Sequence, residues 1–233
     1  IFWKVSRYDM NESLNQEFSQ RIVINTLEEK WHKSPSGGVD RIYLERDNMG
    51  EFSVASSIVK FSPNSSFDEH THDNGEEIYV LSGTFSDQFG DYKEGTYLRN
   101  PDKSIHRPFS KEGCIIFVKL RQFQYNDSER IVKCTKSSPW FQGLVPGLSV
   151  MPLHEFQTEH AAMVKWDPNT TFNPHKHWGG EEIFVVDGVF YDEYGTYPKG
   201  TWIRSPHLSQ HKPFTKKEGA LIFVKTGHLL HLK

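Results

Sequence analysis

His70-Thr71-His72-Asp73-Asn74-Gly75-Glu76-Glu77-Ile78 recurs as His175-Lys176-His177-Trp178-Gly179-Gly180-Glu181-Glu182-Ile183, displaced by 105 residues. His106 recurs as His211 at the same displacement. An internal repeat constrains architecture more strongly than any single element. Three imidazoles and one carboxylate form a metal-ligand set, and the chain carries that set twice in register.

The repeat extends outward. Phe61, Pro63, Asn64 and Phe67 match Trp166, Pro168, Asn169 and Phe172. Gly83, Phe85, Asp87, Gly90, Tyr92 and Gly95 match Gly188, Phe190, Asp192, Gly195, Tyr197 and Gly200. Pro101, Pro108 and Phe109 match Pro206, Pro213 and Phe214; Ile116-Phe117-Val118-Lys119 matches Ile222-Phe223-Val224-Lys225 one inserted residue later. Trp31 and Gly38 align with Trp140 and Gly147 at an offset four residues longer, which places a longer hairpin around Arg46 to Gly50 of the first copy.

Ser57–Phe61, Glu77–Leu81, Gly95–Arg99 and Cys114–Val118 are β-branched or aromatic runs separated by Gly, Pro, Asn and Asp, which reads as short strands. Neither copy shows a helical period. The expectation is an all-β chain of two tandem barrels: an N-terminal extension over 1–30, a first domain over 31–120, a polar linker over 121–139 and a second domain over 140–228. Within the extension, Asn11 to Glu28 reads equally as a short helix or an added edge strand.

The chain has 233 residues, net charge -3, 24% charged and 36% hydrophobic residues, which fits a globular protein without a nucleic-acid footprint. No apolar run is long enough for a membrane-spanning helix. Ile1 to Val5 is too short and too soon charged to act as a secretory signal. Two cysteines, Cys114 and Cys134, make no disulfide framework, and a cytoplasmic location is the expectation.

His70 and His72 lie two apart, on one face of an extended strand. Glu76 follows a turn and shares parity with Ile78 and Val80. His106 comes from a separate strand and closes the set. Neutral imidazole and carboxylate suit zinc, iron, manganese, nickel or copper. The expected ligands are His70, His72, Glu76 and His106, with His175, His177, Glu181 and His211, one divalent metal per domain.

The pattern resembles the cupin superfamily. Its first motif stands as His70-Thr71-His72, Glu76 and Gly83, and again as His175-Lys176-His177, Glu181 and Gly188. Its second stands as Gly95, Pro101 and His106, and again as Gly200, Pro206 and His211. Details such as Gly75-Glu76-Glu77 and Gly83-x-Phe85-x-Asp87 are similar to the cupin domain of ChrR anti-sigma factors. The resemblance implies a bicupin of two jelly-roll β-barrels with the metal inside. It implies zinc in regulatory members and iron in diketone- and hydroxyacetophenone-cleaving dioxygenases. ChrR anti-sigma factors also carry an N-terminal zinc domain that clamps the sigma factor. Residues 1–30 hold no cysteine or histidine, so direct sigma-factor binding is not expected.

Three functions follow. The first is a zinc-binding regulatory cupin related to anti-sigma factors. The second is a mononuclear Fe(II) or Mn dioxygenase acting on a small diketone or aromatic ketone. The third is a binding module with a structural metal and a small-molecule ligand in the barrel. Glu77 and Glu182 read as structural ion pairs, Arg99 and Arg204 as salt bridges, and Cys114 as a small buried hydrophobe. The unrepeated His32, His154, His160, His207, His228 and His231 read as surface residues. Trp178 and Gln210 distinguish the second pocket, as a wall and a hydrogen-bonding group for a ligand.

Overall fold

A computed structural model of the chain describes residues 13–34, 36–49 and 53–232. The first five residues, the start of the N-terminal extension and the tip of the longer hairpin at Gly50 lie outside the described residues. Among those described there are 22 strands, one 3-10 turn at Leu229–His231 and no α-helix. Among the described residues no helix is long and apolar enough to cross a membrane.

The strands form two large sheets of matching order, with a two-stranded ladder in each half beside them. The first runs Ile131–Cys134, Thr96–Asn100, Glu76–Asp87, Cys114–Leu120, Ala55–Phe61, Val39–Arg46 and His32–Lys33. The second runs Ile22–Asn25, Thr201–Ser205, Glu181–Asp192, Ala220–Thr226, Glu159–Trp166, Leu148–Phe156 and Phe141–Gln142. The far end of each long strand leaves this sheet for the opposite wall of the barrel, where Thr84–Asp87 pairs with Gly90–Lys93. The bend falls at Gly83, with φ +73°, where a Cβ would lie 2.1 Å from the Gly113 carbonyl oxygen. Gly188 repeats the conformation against Gly219 at 2.3 Å. Only glycine tolerates both the positive φ and the close backbone. The result is an all-β bicupin of two jelly-roll barrels.

Strand alternation sorts the apolar residues into three cores. Ile78 and Val80 point inward with Val59, Phe61, Phe85 and Ile116 to fill the first barrel. Ile183 and Val185 do the same with Trp166, Phe190 and Ile222 in the second. Tyr79, Phe117, Phe184, Trp202 and Phe223 point out of their barrels and form a shared core between them. Phe117 stacks on Phe184 with centroids 5.3 Å apart.

Two short strands cross over. Ile22–Asn25, from the expected extension, pairs with Thr201–Ser205 of the second barrel. Ile131–Cys134, from the expected linker, pairs with Thr96–Asn100 of the first. Thr26 Oγ1 donates to the Gly200 carbonyl and Thr135 Oγ1 to the Gly95 carbonyl, each at 2.7 Å. The segments 22–26 and 131–135 are therefore equivalent. Residues 22–30 belong to the repeat, and 121–139 contains a structural strand as well as a connection. An edge strand, not a helix, is the outcome for the N-terminal segment.

The outward parity of Glu77 and Glu182 carries them into the interface. Glu77 meets Lys225 at 2.6 Å and Glu182 meets Lys119 at 2.5 Å, each pair spanning the two barrels. Arg204 meets Glu45 at 2.5 Å, Lys225 meets Glu159 at 2.8 Å, and Arg99 meets Glu159 at 3.3 Å and also Asp127. Two histidines expected at the surface are part of this network. His154 reaches Asp127 at 3.0 Å and His228 reaches Glu182 at 3.1 Å, and both are buried. Neither histidine recurs in the other copy, so the repeat gave no sign of its burial, which is why sequence alone placed them outside.

Burial would raise the Glu77 carboxyl, but Lys225 and Arg99 outweigh it and hold the group at about 2. A carboxyl depressed on folding stabilises above its unfolded pKa, and that contribution is lost as pH falls through the folded value. The barrels are therefore expected to lose stability together between about pH 4.5 and pH 2. Urea midpoints measured down that range check it; a midpoint flat from neutral pH to about pH 2 contradicts the depressed carboxyl.

Candidate metal centres

In the first barrel His70–Thr71 pairs with Ile105–His106, which sets His106 directly across from His70. His72 continues the same segment, its amide bonded to the Ser104 carbonyl at 2.9 Å. The turn to Glu76 uses positive φ at Asn74 and Gly75, and the Asn74 amide donates to Asp102 Oδ1 at 2.7 Å. A Cβ on Gly75 would lie 2.5 Å from the Phe123 ring. The turn delivers Glu76 to the start of the long strand, facing inward with Ile78 and Val80.

The four residues converge. The three imidazoles each offer a ring nitrogen within 4.8 Å of the others. Nε2 of His72 and Nε2 of His106 are 2.8 Å apart, and Glu76 Oε2 lies 3.4 and 3.5 Å from them. In the second barrel His175, His177 and His211 repeat the cluster. The His177–His211 nitrogens are 3.0 Å apart, and Glu181 lies 3.3 and 3.5 Å away. All eight residues singled out from the sequence thus fall into two groups, each of three imidazoles with one carboxylate beside two of them.

Tautomers are fixed from behind. His70 Nδ1 faces the Asp68 carbonyl at 2.8 Å, and His175 Nδ1 faces the Asn173 carbonyl at 2.9 Å. His106 Nδ1 faces Asp87 Oδ2 at 3.4 Å, and His211 Nδ1 faces Asp192 Oδ2 at 3.6 Å. With the outer nitrogen turned to an acceptor, the inner Nε2 presents a lone pair to the centre. His72 Nε2 and His106 Nε2, at 2.8 Å, share a proton or a cation. The donor set therefore fits a divalent ion.

The electrostatics divide the imidazoles: against burial, Asp87 raises His106 and Asp192 raises His211, while His72 and His177 are lowered. Burial, His211 and His175 hold the His177 imidazole down at about 3, so it stays neutral as a ligand must. Burial also lowers His72, partly offset by Glu76. Burial alone would raise Glu76, but His72 and His106 outweigh it and its carboxyl lies below the usual range. Glu181 lies above that range because burial prevails over His211. Part of this difference has a structural partner: Asn100 donates to Glu76 Oε2 at 3.0 Å, and its place in the second barrel is taken by Ser205.

Asp87, Asp192, Tyr92, Tyr197 and Asn100 support the clusters but were not picked out from the sequence. The aspartates and tyrosines were visible as repeated positions; nothing in their spacing disclosed the imidazole each serves. Trp178 does not wall the second pocket. Its ring is 63% exposed and packs edge-on against His207 at 4.7 Å. Gln210 also lies exposed at the rim, its carbonyl accepting from Tyr194 at 3.2 Å. A third group of ligand-type residues, Asp127, His154 and Glu159, is already filled by the Arg99 guanidinium.

A family model described as the ChrR cupin-like domain matches residues 19–124 and again residues 128–230. The chain belongs to the ChrR-like cupin family. Both matches start before the crossing strands, so each cupin unit includes the strand it lends. No curated protein matches this bicupin in sequence. Among solved structures it is similar to a putative dioxygenase from Nostoc punctiforme, with TM-score 0.72, 14% identity, and 89% of this chain and 82% of that chain covered. It is also similar to the Escherichia coli pirin YhhW solved with nickel(II), with TM-score 0.64, 13% identity and 89% and 98% covered. A salicylate 1,2-dioxygenase from Pseudaminobacter salicylatoxidans gives TM-score 0.62, 10% identity and 82% and 77% covered. At these identities the likeness is one of fold.

Proposed function

We propose that each cupin barrel holds one divalent metal ion, through His70, His72, Glu76 and His106 in the first and His175, His177, Glu181 and His211 in the second. We propose further that the ion keeps positions open to a small organic ligand, as in a mononuclear Fe(II) or Mn dioxygenase acting on a diketone or aromatic ketone. The observation that carries this reading is the spacing of the paired histidine nitrogens, 2.8 and 3.0 Å. Two nitrogens about 2.0–2.1 Å from one ion stand roughly 2.9 Å apart at a right angle and roughly 3.4 Å apart at a tetrahedral angle. Such spacing suits five- or six-coordinate ions that retain exchangeable positions, and it is also that of a hydrogen bond between the two rings.

Access supports the same reading. His70 and His175 are the less buried members of their clusters, and exposed Phe89, Ile105 and Tyr194 offer apolar surface on the neighbouring loops. A bound ion would polarise a ligand oxygen as a Lewis acid. The carboxylate of Glu76 or Glu181, loosened from the ion, would take a proton from a ligand held there. The family match favours a second reading, a zinc-holding regulatory cupin related to anti-sigma factors.

Metal content of untagged protein purified without oxygen separates the two. Iron or manganese near two per chain, with oxygen consumed on adding a diketone or aromatic ketone, is the expected result. Two zinc ions and no oxygen uptake would favour the regulator. Intact protein that binds no metal would overturn both.

A further inference from the structure

The crossing strands carry arginines to the metal centres. Arg21, immediately before the strand that the first half lends, reaches the back of the second centre. Its Nη2 donates to Asp192 Oδ2 at 2.8 Å and to Tyr197 Oη at 2.9 Å. Arg130, its equivalent from the second half, lies over the Phe89 ring at 5.2 Å beside the first centre.

Asp192 does not need Arg21 to hold its place. Its Oδ1 accepts from the Tyr194 amide at 2.8 Å, the Gly195 amide at 3.0 Å and Tyr197 Oη at 2.6 Å. Arg21 instead occupies Oδ2, the oxygen that faces His211 Nδ1 across 3.6 Å. In the first barrel the corresponding oxygen, Asp87 Oδ2, approaches His106 Nδ1 to 3.4 Å.

A carboxylate behind a metal-bound imidazole makes it a stronger donor. A guanidinium on that carboxylate withdraws the effect. We propose that Arg21 is a positioning residue that the first half supplies to the second centre, where it holds Asp192 back from His211 and so weakens that imidazole as a ligand. The second ion is then bound less tightly and is more electrophilic than the first, and the two centres of one chain are set apart by a residue that the first half lends. This inference rests on the reading that both clusters hold metal.

The test uses cobalt(II) and the full chain in two backgrounds. His70→Ala with His72→Ala leaves only the second centre; His175→Ala with His177→Ala leaves only the first. In the second-centre background, Arg21→Met is expected to tighten cobalt binding about tenfold and to shift the visible cobalt bands. Arg21→Gln is expected to do the same, because it keeps a donor but loses the charge, and Arg21→Lys to restore wild-type binding. In the first-centre background Arg21→Met is expected to change neither. A residue that merely braced the fold would weaken binding when removed. Weaker or unchanged binding in both the Met and Gln variants, or an equal change at the first centre, would overturn the proposal. Failure of either background to bind cobalt at all would instead overturn the metal reading, and this inference with it.

Discussion

Replacing Lys225 by methionine is expected to destabilise the protein by about 3–5 kcal/mol, seen as a lower midpoint in urea or guanidinium unfolding. Lys225 is fully buried between the barrels and meets Glu77 at 2.6 Å and Glu159 at 2.8 Å. Removing it strands two buried carboxylates, with Arg99 the remaining cation beside them at 3.8 and 3.3 Å. Desolvating a charge without its partner is what makes such changes severe. Replacing Glu77 as well, by leucine, is expected to recover much of the loss, since a buried pair is worth little against packed apolar groups. The exposed pair Lys199–Asp187, at 3.3 Å, supplies the contrast: Lys199→Ala should stay within about 1 kcal/mol. Equal effects at both lysines would mean that water reaches the interface.

The second large effect concerns the ions. His72→Ala with His106→Ala is expected to halve the metal bound per chain, because the two clusters share no residue. The melting temperature should fall with it, and a chelator should lower that of the wild type further. A site saturated at about a thousand times its dissociation constant adds about 4 kcal/mol to the folded state. For a chain of this size each 1 kcal/mol moves the midpoint by roughly 2–4 °C. Elemental analysis and calorimetry on the same samples check both parts. Loss of both ions from the double variant would show that the centres are coupled.

The sequence disclosed the fold through its duplication, and it disclosed the clusters because strand parity and turn chemistry act locally. His70 and His72 share a face by counting, and Glu76 shares one with Ile78 and Val80. The partners of outward-facing groups are a different matter. Glu77 and Arg99 could be read as members of ion pairs, but that Glu77 meets Lys225, 148 residues away, depends on how two finished barrels pack. The crossing strands were hidden for a related reason. Ile22-Val23-Ile24-Asn25 and Ile131-Val132-Lys133-Cys134 share only two residues in register. An edge strand of four residues carries too little pattern to name the sheet it joins. His154 and His228 lacked even that, having no histidine at the equivalent position of the other copy.

The traded strands have a consequence for how such an assembly can vary. Each half has one bare sheet edge and one strand without a home, so the arrangement is that of an exchanged dimer written on a single chain. Covalent connection makes the pairing independent of protein concentration, because the second half is always at a high effective concentration. It also frees the contact from self-complementarity. In an isologous pair every residue must serve its own image. Here the bulged position holding Glu45 against Arg204 in one half holds His154 against Asp127 in the other. Two identical subunits could not place a carboxylate and an imidazole at equivalent points; one continuous polypeptide can, and each half is thereby a mate for the other alone.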